Sequence, residues 1–104
     1  MAWVYLFIAG LFEIAWAISI KYSNGLTRLW PTVATVAAMV ISFFFLSRAL
    51  KILPVGTAYA VWTGIGAVGT AMLGMVLFEE PREIARLMCI GLIIAGIVGL
   101  KLVS

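Results

Sequence analysis

Four long apolar runs, separated by short polar breaks, set the strongest limit on what this chain can fold into. An α-helix rises about 1.5 Å per residue, so each run would make a helix of roughly 28–36 Å, enough to cross the ~30 Å hydrocarbon core of a bilayer. Pro31 fits the first turn of the second helix, where its missing N–H is not needed. The sequence therefore predicts an all-α membrane protein, a single domain over residues 1–104, with transmembrane helices at about 2–20, 29–47, 55–78 and 84–102.

The composition excludes a soluble domain. The 104-residue chain is 65% hydrophobic and 11% charged, with a mean hydropathy of +1.23, and a soluble protein of this size cannot bury so much apolar surface. The first run has no basic region before it and is interrupted by Glu13, so we expect a retained span and not a signal peptide. With one cysteine, Cys89, and no histidine, we expect no internal disulfide, metal site or cofactor.

Glu13 is the one charged side chain between Met1 and Ile20. A carboxylate near the bilayer centre costs at least about 2.5 kcal/mol on insertion scales, so its presence there indicates a functional site. In hydrocarbon such a group is neutralised by a proton or by a cation, but not by both at once. This competition is enough to couple cation movement in one direction to proton movement in the other. Glu13 is therefore the predicted binding point for substrate and proton.

Helical periodicity predicts which side chains share a face with this carboxylate. At 100° per residue, small residues surround Glu13 on its helix and Trp16 flanks it. Donors such as Trp16 and Ser42 could hold the carboxylate in place, and aromatic faces would add cation–π attraction to an organic cation. The alternative for the aromatic residues of helix 3 is lipid-facing or interfacial packing. The predicted pocket residues are Trp16, Ser42, Tyr59 and Trp62.

The basic residues leave the orientation of the chain open. With four spans, one side carries three Lys or Arg residues and the other four: Arg48, Lys51 and Lys101 against Lys21, Arg28, Arg82 and Arg86. Orientation follows from a bias in these residues, and here the bias is almost absent. Insertion in both orientations, giving an antiparallel dimer, and an ordinary single orientation both remain open on charge alone.

Small residues at intervals of four predict where two chains meet. Gly91, Ala95 and Gly99 follow this spacing on helix 4, and such small-xxx-small patterns let membrane helices approach closely. The alternative is that helix 4 uses this face within its own chain. Because four short helices enclose too little volume for a sizeable ligand around a buried charge, we expect a homodimer with helix 4 as its interface.

Enzymatic chemistry is not expected. The chain has no nucleophile–base pair and no phosphate-binding loop, and we expect no nucleic-acid partner. Glu79, Glu80 and Glu83 could suggest a metal site. A solvated loop beside Arg82 and Arg86 is the favoured interpretation of this cluster.

Several motifs together resemble the small multidrug resistance family. They are the glutamate of helix 1, the segment KYSNGLTRLWP at 21–31 and the segment PVGTAYAVWTGIG at 54–66. The similarity covers essentially the whole chain. Within that family, EIAW at 13–16, WTG at 62–64 and GLK at 99–101 resemble the guanidinium-exporter branch.

The resemblance implies an antiparallel, dual-topology homodimer in a bacterial inner membrane, surrounded by lipid. Both Glu13 side chains would share one pocket and exchange protons for guanidinium by alternating access. Trp16 and Ser42 would bond to Glu13, Tyr59 and Trp62 would line the pocket, and the Gly64 to Gly66 segment would be the hinge of helix 3. Two alternatives stay open: export of hydrophobic quaternary ammonium compounds, and a non-transporting structural subunit.

Overall fold

Four α-helices make up the described part of the chain. The computed structural model describes residues 2–103, and all four helices are long and apolar enough to cross a membrane. The fold is therefore all-α, and the chain is a multi-pass membrane protein. The helices are α1 (Ala2–Tyr22), α2 (Leu29–Leu50), α3 (Val55–Leu77) and α4 (Ile84–Val103).

Two helices extend further than their apolar runs. α1 continues through Lys21 and α2 continues through Arg48, whereas the predicted limits stopped just before these basic residues. A cation in the last turn of a helix faces the negative end of the helix dipole and can snorkel to the interface. α3 instead ends one residue early, because Phe78 leaves the helical conformation with φ −117° and ψ 9°. Its N–H still makes a helix-like bond to the Gly74 carbonyl at 3.0 Å.

The helices form a thin slab in which α1 lies against both α2 and α3. Within residues 2–103, α4 packs beside α3 alone. The Cα atoms span 41 × 35 × 16 Å, so the slab is too thin to surround a central site on all sides. Its small core joins the first three helices through Leu6, Ala9, Ala49, Ala58, Val61 and Trp62.

Glycines bring α1 and α3 close together around the level of Glu13. A Cβ atom added at Gly10 would come within 2.8 Å of the Ile65 Cβ, and one added at Gly69 would come within 2.6 Å of Ile14 Cγ1. Both separations are shorter than van der Waals contact, so a larger residue at either position would force the helices apart. Small residues at such contacts are how membrane helices gain close packing. The Glu13 carboxylate lies between these two contacts along the chain.

Candidate cation-binding site

The Glu13 carboxylate is packed directly against α3 at Gly66. A Cβ atom built at Gly66 would collide with Glu13 Oε1 and come within 2.8 Å of Glu13 Cγ. Oε1 is buried and has no hydrogen-bond partner in the part of the chain that the structure describes. A buried polar atom without a partner is rare in proteins and calls for an explanation. The Glu13 side chain also lines a cavity.

A cavity of about 450 Å³ opens next to the carboxylate, between α1 and α3. The α3 wall is built from small side chains, which leave room for a ligand, and the opposite wall carries Glu13 and Trp16. Charged residues line the cavity towards the loop between α3 and α4. The lining consists of Glu13, Trp16, Ala17, Ile18, Lys21, Thr63, Gly66, Ala67, Thr70, Ala71, Gly74, Phe78, Glu80 and Arg86.

Trp16 lines this cavity, but it does not bond to Glu13. Its indole Nε1 is buried and, like Glu13 Oε1, is unpaired among residues 2–103. An indole N–H is only a donor of hydrogen bonds, and an ionised carboxylate is only an acceptor. Two residues that line the cavity from α1 therefore carry, respectively, an acceptor and a donor without a partner in the described chain.

Ser42 does not bond to Glu13 either, and its own contacts explain why. Its hydroxyl donates to the Ala9 carbonyl at 2.7 Å and accepts the Trp62 Nε1–H at 3.0 Å. A serine has one O–H to donate, and Ala9 takes it. The hydrogen bonds predicted from Trp16 and Ser42 to Glu13 are thus not formed in the single chain. Ser42 instead ties α1, α2 and α3 together.

Tyr59 and Trp62 lie away from the Glu13 cavity in the single chain. Their rings are 5.7 Å apart between centroids, and Trp62 also contacts Phe43 at 5.7 Å. Trp62 is buried, at 7% exposure, whereas Tyr59 is 57% exposed. Of the four predicted pocket residues, only Trp16 lies with Glu13 in the cavity. The Trp62 indole packs between helices and bonds to Ser42, whereas Tyr59 contacts Trp62 and remains largely exposed.

The predicted hinge glycines are both packing points on an unbroken α3. A Cβ at Gly64 would come within 2.9 Å of Ile97 Cδ1 on α4, while Gly66 makes room for Glu13. The two glycines therefore bring α3 against α4 on one side and against the carboxylate on the other. A bend of α3 at this point would move both contacts at once.

The predicted dimer interface is an open face of α4. Gly91 and Ala95 are exposed and Gly99 is partly so. No heavy atom of the described chain outside the helix's own backbone lies within 4 Å of a Cβ added at Gly91 or Gly99. The small-residue stripe is therefore not used for packing inside the described chain.

Sequence reasoning missed the three other charged residues of the cavity: Lys21, Glu80 and Arg86. The Arg86 Nη2 donates to Glu80 Oε1 at 2.8 Å, with both side chains about two-fifths exposed. Lys21 Nζ lies 5.3 Å from the centroid of the Phe78 ring. The glutamate-rich loop is thus not simply solvated, since one of its carboxylates turns into the Glu13 cavity. No periodicity in the loop could have indicated this.

Lys101 also gains a structural contact. Its Nζ lies 5.3 Å from the centroid of the Trp3 ring on α1, a distance at which the ring attracts a cation. This contact reaches from α4 to α1, whose backbones are not neighbours within residues 2–103.

A thin chain of four membrane-spanning helices, with a half-buried glutamate lining a cavity, is a small multi-pass membrane protein. The chain belongs to the Small Multidrug Resistance protein family, whose family model matches residues 1–93. This confirms the resemblance inferred from the motifs.

Close relatives carry names of exporters and not of enzymes. A guanidinium exporter from Yersinia pseudotuberculosis serotype I (strain IP32953) is 61% identical over 104 residues, the whole of both chains. One from Citrobacter freundii is 59% identical over 102 residues, which are 98% of this chain and 97% of the relative. One from Proteus vulgaris is 55% identical over the full length of both chains.

Proposed function

We propose that this protein is a proton-coupled antiporter that exports guanidinium ion from bacteria across the inner membrane. The observation that carries the proposal is the Glu13 side chain, which lines a cavity of about 450 Å³ and whose Oε1 is buried without a hydrogen-bond partner in the described chain. The names of relatives that are 55–61% identical supply the substrate. Guanidinium suits this acceptor, because its planar fork of N–H donors matches a carboxylate bidentately.

Coupling to protons follows from competition for one carboxylate. A proton on Glu13 removes the charge that holds the cation, and a bound cation removes the charge that holds the proton. Each time the access of Glu13 switches from one side of the membrane to the other, the carboxylate therefore carries either a proton or a cation. With two Glu13 side chains in one pocket, the pair would titrate as a coupled unit.

A homodimer would complete the site. The slab is 16 Å thick, the small-residue face of α4 is open, and Tyr59 is exposed. A second copy packed through Gly91, Ala95 and Gly99 would cover α4. The near-equal distribution of basic residues supports insertion in both orientations, and thus an antiparallel pair.

Alternating access would then be an exchange of two conformations between the subunits. Bending of α3 at Gly64 and Gly66 would shift α4 and the Glu13 contact together, since each glycine is one of those contact points. Glycine in a membrane helix is a reasonable place for such a bend. In the same motion Trp16 would come to donate to Glu13, and Ser42 would do so by giving up its bond to the Ala9 carbonyl.

Export of hydrophobic quaternary ammonium compounds is the second candidate, and the cavity size favours it. The cavity of about 450 Å³ is larger than the four heavy atoms of guanidinium require. A bulky cation would use the Trp16 ring and the aliphatic wall in place of hydrogen bonds. A non-transporting structural subunit is the third candidate.

The deciding experiment is uptake of labelled guanidinium into proteoliposomes, with and without a proton gradient. We expect the gradient to drive uptake in the wild type, protons to inhibit it competitively, and Glu13→Gln to abolish it without preventing assembly. Glu83→Gln removes the same charge from an exposed position and should transport normally. Equal flux in wild type and Glu13→Gln would refute transport through Glu13. Gradient-driven flux of a tetraalkylammonium alone would select the second candidate.

A further inference from the structure

The Glu13 cavity contains a second carboxylate, near the loop that joins α3 to α4. Glu80 lies in that loop and lines the same cavity as Glu13. Its neighbours Glu79 and Glu83 are exposed and do not line the cavity. The loop therefore directs one of its three glutamates towards the space that the transported cation would occupy.

Both carboxylates are seated on glycines of the same helix. A Cβ at Gly66 would collide with the Glu13 carboxylate, and a Cβ at Gly74 would come within 2.6 Å of Glu80 Oε1. The two glycines are eight residues apart, which is about 12 Å along the helix axis. α3 thus offers two places for a carboxylate, one deep beside α1 and one near the end of the helix.

Glu80 already holds a guanidinium group, that of Arg86. A single hydrogen bond, from Arg86 Nη2 to Glu80 Oε1 at 2.8 Å, joins them, and the buried Arg86 Nε has no partner within the described chain. The fork of the arginine is thus not engaged bidentately, although that is the stronger arrangement. Ion pairs with this much exposure are also weak. A free guanidinium ion could make the better contact.

We propose that Glu80 is an outer binding point for the transported cation, at which guanidinium takes the place of the Arg86 side chain on its way to or from Glu13. This inference rests on the proposed function. The exchange replaces one guanidinium–carboxylate pair by another, and the Arg86 side chain that it releases is two-fifths exposed. Lys21 shares this end of the cavity, but its ammonium lies over the Phe78 ring.

The two seating glycines allow the two binding points to be observed separately. In a Glu13→Gln protein, guanidinium chloride is titrated while the backbone amide NMR signals of Gly66 and Gly74 are followed, with sodium chloride as the salt control. We expect the Gly74 signal to move with saturation and the Gly66 signal to stay. Adding Arg86→Gln removes the competing group and should lower the midpoint by about threefold. Adding Glu80→Gln should abolish the Gly74 response.

A Gly74 signal that does not respond, or that responds equally with Glu80→Gln, would overturn the inference and leave the ion pair as a simple tie between the loop and α4. Because Glu13 is replaced throughout, these outcomes do not depend on whether the wild type transports.

Flux gives an independent measurement. In an otherwise wild-type protein, Glu80→Gln should raise the KM for guanidinium uptake by up to about tenfold, through the lost local attraction for the cation, with kcat nearly unchanged. Glu83→Gln is the matched control and should leave both constants as they are. An unchanged KM in Glu80→Gln would contradict the inference. Absence of guanidinium uptake in the wild type would instead remove the proposed function.

Discussion

Replacing Gly66 by alanine tests whether cation binding requires the close packing of the Glu13 carboxylate against Gly66. The added Cβ would occupy the space of Glu13 Oε1, so either the side chain must turn away or α1 and α3 must separate. Overpacking of this kind costs about 1–3 kcal/mol. If this cost falls on the guanidinium-bound state, it corresponds to a roughly five- to 150-fold weaker affinity for guanidinium, at about 1.36 kcal/mol per factor of ten.

Gly56→Ala is the matched control for this change. It lies in the same helix, and a Cβ added there meets no heavy atom of the described chain within 4 Å. Guanidinium binding would be measured by calorimetry in detergent for both variants, and thermal unfolding of each would show whether the helices have separated. The reasoning is refuted if Gly66→Ala and Gly56→Ala bind guanidinium equally well while both remain folded.

Three further predictions concern the packing, the coupling and the topology. Ser42→Ala leaves the buried indole N–H of Trp62 unpaired and should lower the free energy of unfolding by about 1–3 kcal/mol. In the control Ser47→Ala, the lost hydroxyl is exposed and bonds within its own helix at 2.7 Å, so stability should change little. Equal melting temperatures for the two variants would contradict this prediction. If one proton and one cation compete for Glu13, the apparent Kd for guanidinium should rise with acidity, approaching tenfold per pH unit; a pH-independent Kd would exclude competition. With Cys89 replaced, a cysteine at Lys51 should be labelled by membrane-impermeant reagents from both sides, and labelling from one side only would exclude dual topology.

The helices show which part of the fold local sequence signals predict: the number of helices is predicted, but the residues at which two of them end are not. The apolar runs predicted four helices, because hydrocarbon length and the need to satisfy every backbone group are imposed segment by segment. The predicted limits treated Lys21 and Arg48 as boundaries, and both lie inside the last helical turn. A long cationic side chain can leave the hydrocarbon while its backbone remains helical.

Sequence reasoning likewise placed some of the proposed site residues in the cavity of the single chain and missed the position of others. Glu13 and Trp16 could be predicted from sequence, since a lone carboxylate in an apolar run is conspicuous and its helical neighbours follow from periodicity. The same periodicity placed Tyr59 and Trp62 in the pocket, but in the single chain they lie elsewhere, and Trp62 bonds to Ser42 at 3.0 Å. Whether Tyr59 and Trp62 line a shared pocket stays a prediction for the dimer.

By itself, the sequence determined the class of the protein, its four spans, the buried carboxylate and the family. Only the tertiary structure decided which polar groups meet: Ser42 with Ala9 and Trp62, Glu13 with Gly66, and Glu80 with Gly74 and Arg86. The physical reason is that span length, apolarity and cost of a buried charge are properties of single segments. Partner choice depends on how helices rotate, tilt and shift against one another, and steric fit at a few glycines controls that arrangement.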